Sequence, residues 1–375
     1  MPKVLQVSTV AITLQHFIVP LANHFQGLGW QVDGAAHGIK SSEICSKNFD
    51  NTFQVPFSRN FLAPSNVTTG ASEIGKIARE GKYDIVHVHT PIAAFMTRRV
   101  LRNRPVSQKL LYTAHGFHFY NGAPKWRNFI FEKLEKTAAP WMDHLVVMNQ
   151  QDYQNALRLK FAAAEDITMT YGIGIDLSDF QVPENVSAVR EDIRNELQIP
   201  HDAHVFLMAA GFSANKRHCD AVQALSQLPD SREFHLVLAG SVDGKMFEPT
   251  KELAKKLGVA DRVHFTGFRT DITNLMVASD ALVLISEREG LPRSIMEALS
   301  LGLTVIGSEI RGISDLVTEE TGIFTPPCDP ESLTRAMIKS VDFQPNAAAS
   351  KALLEKCRME TVLKQYEEIY QGLLN

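Results

Sequence analysis

Short apolar runs recur along the chain, each followed by a stretch whose apolar residues fall at helical spacing. The runs are Val4–Val10, Tyr83–His89, Lys109–His115 and His144–Asn149, then Val205–Gly211, Phe234–Gly240, Val263–Phe268 and Ala281–Ser286. Strands alternating with helices predict parallel sheets with helices packed on their faces. The rhythm lapses from Gly172 through the polar, proline-containing stretch to Glu184, and a fresh strand series then begins. The lapse is read as a linker between a first domain, residues 1–178, and a second, residues 179–358. In the final segment Val362, Leu363, Tyr366, Ile369 and Tyr370 share one side of a helix over residues 359–375, which is expected to pack back on the first domain.

Length agrees with this division, because 375 residues exceed one ordinary core and suit two domains of roughly 150 to 200 residues each. Doubly wound sheets bind ligands outside the carboxyl ends of their strands, so two of them around a shared crevice favour a two-substrate site. A formal net charge of −4 gives no global electrostatic case for nucleic acid. Cys45, Cys219, Cys328 and Cys357 are widely separated and suggest neither a zinc site nor a disulfide framework, which fits a reducing, cytoplasmic setting. No run reaches the roughly 18 apolar residues of a membrane span, so contact at the inner face of the membrane would be peripheral.

The most informative spacing is Glu289-Gly290-Leu291-Pro292-Arg293-Ser294-Ile295-Met296-Glu297, directly after the apolar run that begins at Ala281. Pro292 suits a first helical position, and Ile295, Met296 and Leu299 give the following helix an apolar face. That places Glu289 on a loop and Glu297 in the helix. A helix opening at a strand's carboxyl end turns unpaired N–H groups toward bound phosphate, while the two carboxylates could take sugar and ribose hydroxyls. The competing reading makes Glu289 a cap and Glu297 a solvated helix residue.

Other strand ends carry candidate chemistry. Lys216 and Arg217 follow the run ending at Gly211 and are placed to neutralise a departing diphosphate, or are solvated loop cations. Gly267, Phe268 and Arg269 end another strand, where a flat base could lie against the backbone, although a core phenylalanine and a turn glycine explain the same residues. Arg311, after the strand at Thr304, reaches phosphate or sugar, or lies at the surface. In the first half His115 sits beside Gly116, where a neutral imidazole could donate to a sugar hydroxyl or leaving oxygen, or serve the structure. His87 and His89 leave one strand on the same side and lack a metal-ligand partner at usable spacing. Arg98, Arg99, Arg102 and Arg104, with the basic and aromatic Lys125–Phe131, raise contact with anionic lipid, against the plainer reading of solvated arginines.

Taken together these residues resemble a retaining glycosyltransferase of family 4. The resemblance spans essentially the whole chain and rests most on the Glu289 to Glu297 segment, with Tyr112–Pro124 and Gly172–Phe180 similar to the branch that builds capsular and exopolysaccharides. It implies an α/β, GT-B fold: two Rossmann-like doubly wound parallel-sheet domains facing a central cleft, the first binding acceptor and the second binding nucleotide-sugar donor. It also implies that Glu289 contacts donor-sugar hydroxyls, Glu297 the ribose, Lys216 the diphosphate, His115 the sugar near its reacting carbon, and the backbone N–H groups of Leu291, Arg293 and Ser294 the phosphates, with Gly290 and Pro292 also in the donor site. Thr13, His118 and Arg311 belong to the acceptor or phosphate side. No essential metal or other cofactor is expected. Two departures stand out: Gly211-Phe212-Ser213 occurs where many members carry an arginine, with Arg217 a candidate replacement, and Thr9-Val10-Ala11-Ile12-Thr13 occurs where many carry paired glycines. The activity implied is transfer of a hexose or N-acetylhexosamine from a UDP-sugar, UDP-glucose being a candidate, to a glycan or lipid-linked acceptor. The alternatives are a UDP-sugar 2-epimerase of the same fold and a non-catalytic nucleotide-sugar-binding scaffold.

Overall fold

Seven parallel strands form the sheet of the first unit: β1 (Lys3–Val10), β2 (Gln31–His37), β3 (Thr52–Gln54), β4 (Ile85–Val88), β5 (Lys109–Ala114), β6 (His144–Val147) and β7 (Ile167–Met169). The computed structural model describes residues 1–375, with a first unit of Met1–Gly174 plus Met359–Asn375 and a second of Ile175–Arg358. The chain therefore leaves the first unit a few residues before the position read from the sequence. The strand order is β3-β2-β1-β4-β5-β6-β7, so the winding reverses between β1 and β4. Such a switch point opens a crevice at the strands' carboxyl ends.

Alternate side chains of these strands feed two cores. Leu5, Val7, Val86, Val88, Leu110 and Tyr112 join one face, where α2 (Ala71–Glu80) and α3 (Pro91–Val100) supply Ile74, Ile77, Ala93 and Met96. Val4, Ile85, Leu111 and Val146 join the other, with Leu21 and Phe25 of α1 (Val19–Gly27) and Val362, Tyr366, Ile369 and Tyr370 of the C-terminal helix Met359–Leu374. Each large aliphatic or aromatic residue so buried contributes about 1.5–3 kcal/mol. That burial holds the last helix on a sheet built from the other end of the chain. Further along the second face the row turns polar, with Gln6 beside His87 in register, and both fully buried.

The arginines of the first unit have divergent fates, which corrects the picture of one solvated basic cluster. Arg98 is buried, its Nη2 2.7 Å from Glu135 of α4 (Lys125–Ala138) and its guanidinium 4.3 Å from the Tyr112 ring centre. Arg104 is tied to Asp143 and to the carbonyl of Trp141. Arg99 and Arg102 alone of the four stand exposed.

The second unit is a six-stranded parallel sheet of β8 (His204–Ala209), β9 (Phe234–Ala239), β10 (Val263–Gly267), β11 (Ala281–Leu284), β12 (Thr304–Ser308) and β13 (Gly322–Thr325). Its order is β10-β9-β8-β11-β12-β13, again with a switch point, here between β8 and β11. β11 is wholly buried, and α5 (His218–Ser226) and α6 (Arg293–Ser300) follow the loops that leave β8 and β11. The helix starts one residue later than the sequence suggested. Pro292 is the N-cap, with an extended ψ of 119°, and it offers no side chain to the first N–H groups. The four cysteines are unpaired, and no helix is long and apolar enough to cross a membrane.

Candidate active site

Two loops of the second unit meet through a side-chain amide. Asn215, after β8, donates from Nδ2 to the Arg288 carbonyl at 2.9 Å, and the Glu287 N–H returns a 2.9 Å bond to the Asn215 carbonyl. This clasp brings Lys216 and Glu289 together: Nζ lies 2.6 Å from Oε1, with the two side chains 24% and 12% exposed. A salt bridge this shielded is more than a surface ion pair and leaves both groups at the mouth of the β8 and β11 loops. Glu289 is therefore not a helix cap.

Arg217 departs from its expected role. It adopts a left-handed backbone conformation, φ 60°, and its guanidinium is held by both oxygens of Asp220, at 2.8 and 3.0 Å, and by Glu287 at 3.3 Å. The hydrogen bond to Asp220 holds its pKa above the usual value. Its charge is already matched, so Lys216 is the cation of this loop whose carboxylate partner is itself a candidate ligand group. Asn215, Asp220 and Glu287 were not singled out from sequence; the only signal was their position next to residues that were.

The ends of β8, β9 and β10 and the start of α6 wall a cavity of about 430 Å³, whose lining includes neither Lys216 nor Glu289. Of the expected residues, Phe268, Arg269, Ser294 and Glu297 line it. Small residues make the room: Ala209, Ala210 and Gly211 on one side, Ala239, Gly240 and Ser241 on the other. A Cβ at Gly240 would sit 2.0 Å from the Ala210 carbonyl oxygen, so only glycine lets these strand ends approach. Phe268 is 75% exposed, an open aromatic face beside the backbone of Gly267, whose carbonyl accepts from the Gly240 N–H. Arg269 is engaged by Asp271 and Glu196, and the Asp271 hydrogen bond is the main cause of its raised pKa.

Glu297 is not the solvated helix residue of the competing reading. Its side chain is 13% exposed, and burial raises its pKa while Arg293, 3.8 Å away, opposes the shift. A carboxylate in that setting gains from hydroxyl donors that restore its lost hydration. Above it the start of α6 has no side-chain cap, so the N–H groups of Arg293 and Ser294 remain open to an anion. The loop is braced from below by Gly312, φ 78°, where a Cβ would fall 2.4 Å from the Gly290 oxygen. Arg311 beside it is buried at 7% exposure rather than lying on an open surface.

In the first unit a second cavity, about 340 Å³, sits at the switch point between β1 and β4. Thr13 and His118 line it, with Thr9, Arg59, Thr90 and Phe131. Where paired glycines were expected, Val10 stays extended, φ −139°, and the helix starts at Ala11 and widens to a π turn over Leu14–Ile18. The ends of β1 and β4 are joined by Thr9 and Thr90, whose hydroxyl oxygens are 2.6 Å apart. His115 lies at the end of β5, outside the residues lining this cavity. Burial pushes its pKa down to about 4, so the imidazole is neutral near pH 7. His87 and His89 do leave β4 on one side, their ring centres 4.0 Å apart, and both are wholly buried.

Comparison with known proteins agrees across both units. Residues 14–178 match the profile of Glycosyltransferase Family 4, and residues 189–351 that of Glycosyl transferases group 1. The Bacillus subtilis protein EpsD, assigned as a glycosyltransferase, is 30% identical over 319 residues, covering 84% of this chain and 81% of its own length. The Escherichia coli UDP-Gal:alpha-D-GlcNAc-diphosphoundecaprenol alpha-1,3-galactosyltransferase is 28% identical over 275 residues, 71% of this chain and 68% of its own. Among solved structures, Anabaena HepE in complex with UDP and glucose superposes with a TM-score of 0.81 at 17% identity, over 99% of this chain and 100% of that one. At that identity the shared feature is the fold.

Proposed function

We propose that this chain, which belongs to the family 4 and group 1 glycosyltransferases, moves a hexose or N-acetylhexosamine from a UDP-sugar to a glycan or lipid-linked acceptor with retention at the anomeric carbon. The observation that carries this reading is the Lys216–Glu289 pair, 2.6 Å apart, with Glu289 on a loop that leads into the uncapped N-terminus of α6, the helix that supplies Ser294 and Glu297 to the cavity. Those groups suit the parts of a nucleotide-sugar: N–H groups and an ammonium for diphosphate, Glu297 for ribose hydroxyls, Glu289 for sugar hydroxyls and Phe268 for the base. UDP as the nucleotide and glucose as one donor are supported by the HepE complex, and a lipid-linked acceptor by the Escherichia coli relative. The first unit would bind the acceptor and the second the donor.

In the step proposed, the bond between the anomeric carbon and the diphosphate oxygen breaks and UDP departs with the bonding electrons. The acceptor hydroxyl oxygen joins the same face of that carbon, and its proton passes to the departing phosphate oxygen. No side-chain nucleophile is required. Lys216 and the α6 N–H groups stabilise charge as it grows on the leaving group, the kind of preorganised electrostatic contact on which such sites depend most. This set of donors suffices without an essential metal, a reading that activity in the presence of a chelator tests.

Membrane contact belongs to the same proposal. α4 exposes Trp126, Phe129 and Ile130 at 69%, 65% and 45%, interleaved with exposed Lys125, Lys133 and Lys136. Apolar side chains flanked by lysines suit the interface of an anionic membrane, at the inner face where a lipid-linked acceptor for extracellular polysaccharide would be met. Incubation with UDP-sugars and a panel of polyprenyl-diphosphate and oligosaccharide acceptors tests the function. Release of UDP with an α-configured product supports it, and an epimerised sugar formed without acceptor replaces it with the epimerase.

A further inference from the structure

Behind His115 the first unit contains an unbroken run of buried hydrogen bonds that ends on a backbone carbonyl. His115 Nε2 lies 3.3 Å from His89 Nδ1, and His89 Nε2 2.7 Å from Gln6 Oε1. Gln6 Nε2 donates to the Tyr370 hydroxyl at 2.9 Å, and that hydroxyl is 2.8 Å from His87 Nδ1. His87 Nε2 is 2.7 Å from the Thr113 hydroxyl, which is 3.2 Å from that of Tyr366. Tyr366 in turn bonds to Thr170, whose hydroxyl donates to the Gly172 carbonyl at 3.2 Å. Gln6, His87, His89, Thr113, Thr170 and Tyr370 are wholly inaccessible, and Tyr366 nearly so.

The carbonyl at the end can only accept, and this sets the direction of every bond before it. Thr170 gives its proton to Gly172 and so accepts from Tyr366, which accepts from Thr113, which accepts from the His87 Nε2–H. His87 Nδ1 then accepts from Tyr370, which accepts from the Gln6 amide. The Gln6 oxygen accepts from the His89 Nε2–H, leaving His89 Nδ1 as an acceptor and His115 Nε2 as its donor. Running the bonds the other way would take the Thr170 proton from the Gly172 carbonyl and reverse the Gln6 amide. Burial keeps the rings neutral: His87 and His89 are held well below the ordinary histidine pKa and His115 at about 4.

We propose that Gln6, His89 and Tyr370 are positioning residues that hold His115 as its Nε2–H tautomer, so that its Nδ1, which has no partner in the protein, meets a ligand as a hydrogen-bond acceptor. This reverses the polarity expected from sequence, where the ring was to donate. A sugar hydroxyl that reaches His115 must donate a hydrogen bond to it, and a leaving-group oxygen finds no donor there. Two of the eight side chains in the run belong to the C-terminal helix, so that helix sets the chemistry of a site residue as well as covering a core. The significance for catalysis rests on the glycosyltransferase reading, but the tautomer is read without substrate, so failure of either leaves the other standing.

The test is a two-bond 1H–15N correlation spectrum of the full chain labelled with 15N-histidine, at pH 7, with His115 assigned by loss of its signals in His115→Asn. The expected result is an Nε2–H pattern for His115 in the wild type. In Gln6→Leu, which removes the acceptor for the His89 Nε2–H, the pattern should shift to a mixture of both tautomers. An Nδ1–H pattern in the wild type overturns the proposal without any variant, and an unchanged Nε2–H pattern in folded Gln6→Leu shows that Gln6 does not set it.

Discussion

The ammonium of Lys216 and the carboxylate of Glu289 are 2.6 Å apart, each from a loop at the carboxyl end of a different strand, and Asn215 fastens the two loops beside them. A pair held this way positions a cation for phosphate and an anion for sugar hydroxyls at one place. Replacing Lys216 or Glu289 with alanine should slow transfer by on the order of 100- to 1000-fold, the loss typical of one preorganised electrostatic contact. The double replacement should cost little more than the worse single one, because each residue holds the other in place. Steady-state kcat/KM for the three variants measures this, and fully multiplicative losses would show two independent groups.

Glu297 should show a trade between stability and binding. Burial works against its charge, so Glu297→Gln removes a cost of folding while weakening the acceptor offered to ribose. The thermal midpoint should hold or rise, and affinity for a UDP-sugar should fall about tenfold, as the loss of a hydrogen bond to a charged group implies. Calorimetry on the folded variant decides it; an unchanged Kd would remove Glu297 from the donor site.

Gly312 is predicted to be intolerant of any side chain. Its φ of 78° and the 2.4 Å approach of a Cβ to the Gly290 oxygen mean that Gly312→Ala must displace the loop that carries Glu289. Backbone strain alone should cost about 1–3 kcal/mol, and donor affinity should fall with it. Urea unfolding followed by titration with UDP measures both. Wild-type values for the two quantities would mean that the loop is not braced there.

Stability should fall in mild acid. His87, His89, His115, His218 and His264 all have folded pKa values below the ordinary one, with burial the leading cause and about 4 for the last three. Above about pH 6.5 neither state holds the proton and stability is full. As the pH drops from there toward 4 the unfolded chain takes up protons first, costing about 1.4 kcal/mol per pH unit for each histidine. The urea midpoint should therefore drop steeply between pH 6.5 and 5, and a flat profile over that range would count against the buried neutral histidines.

The sequence made the parallel-sheet architecture legible because its central strands are buried on both faces and read as unbroken apolar runs, as Ala281–Leu284 does. Four strands, three of them at sheet edges, were not visible. Gln31–His37 carries a buried Asp33, whose charge is answered by Gln31 of the same strand and by Asn51 and Tyr83 from elsewhere in the fold, and Thr52–Gln54, Ile167–Met169 and Gly322–Thr325 are too short to show a period. At the site, Glu289, Lys216 and Glu297 could be found from their places after strands. The contact of Arg217 with Glu287 and the burial of Arg311 could not, since Glu287 comes from a distant loop and burial is set by packing. The run from Gly172 to His115 joins residues from both ends of the chain, and no spacing in sequence reveals it.

The most direct test of the account is UDP release by the intact chain from UDP-glucose, UDP-galactose and their N-acetylated forms, with a mixed acceptor panel and with Lys216→Ala in parallel. Acceptor-dependent release is expected from at least one donor, reduced on the order of 100-fold or more in the variant. Failure of the wild-type chain to bind UDP or any of the four donors would contradict it.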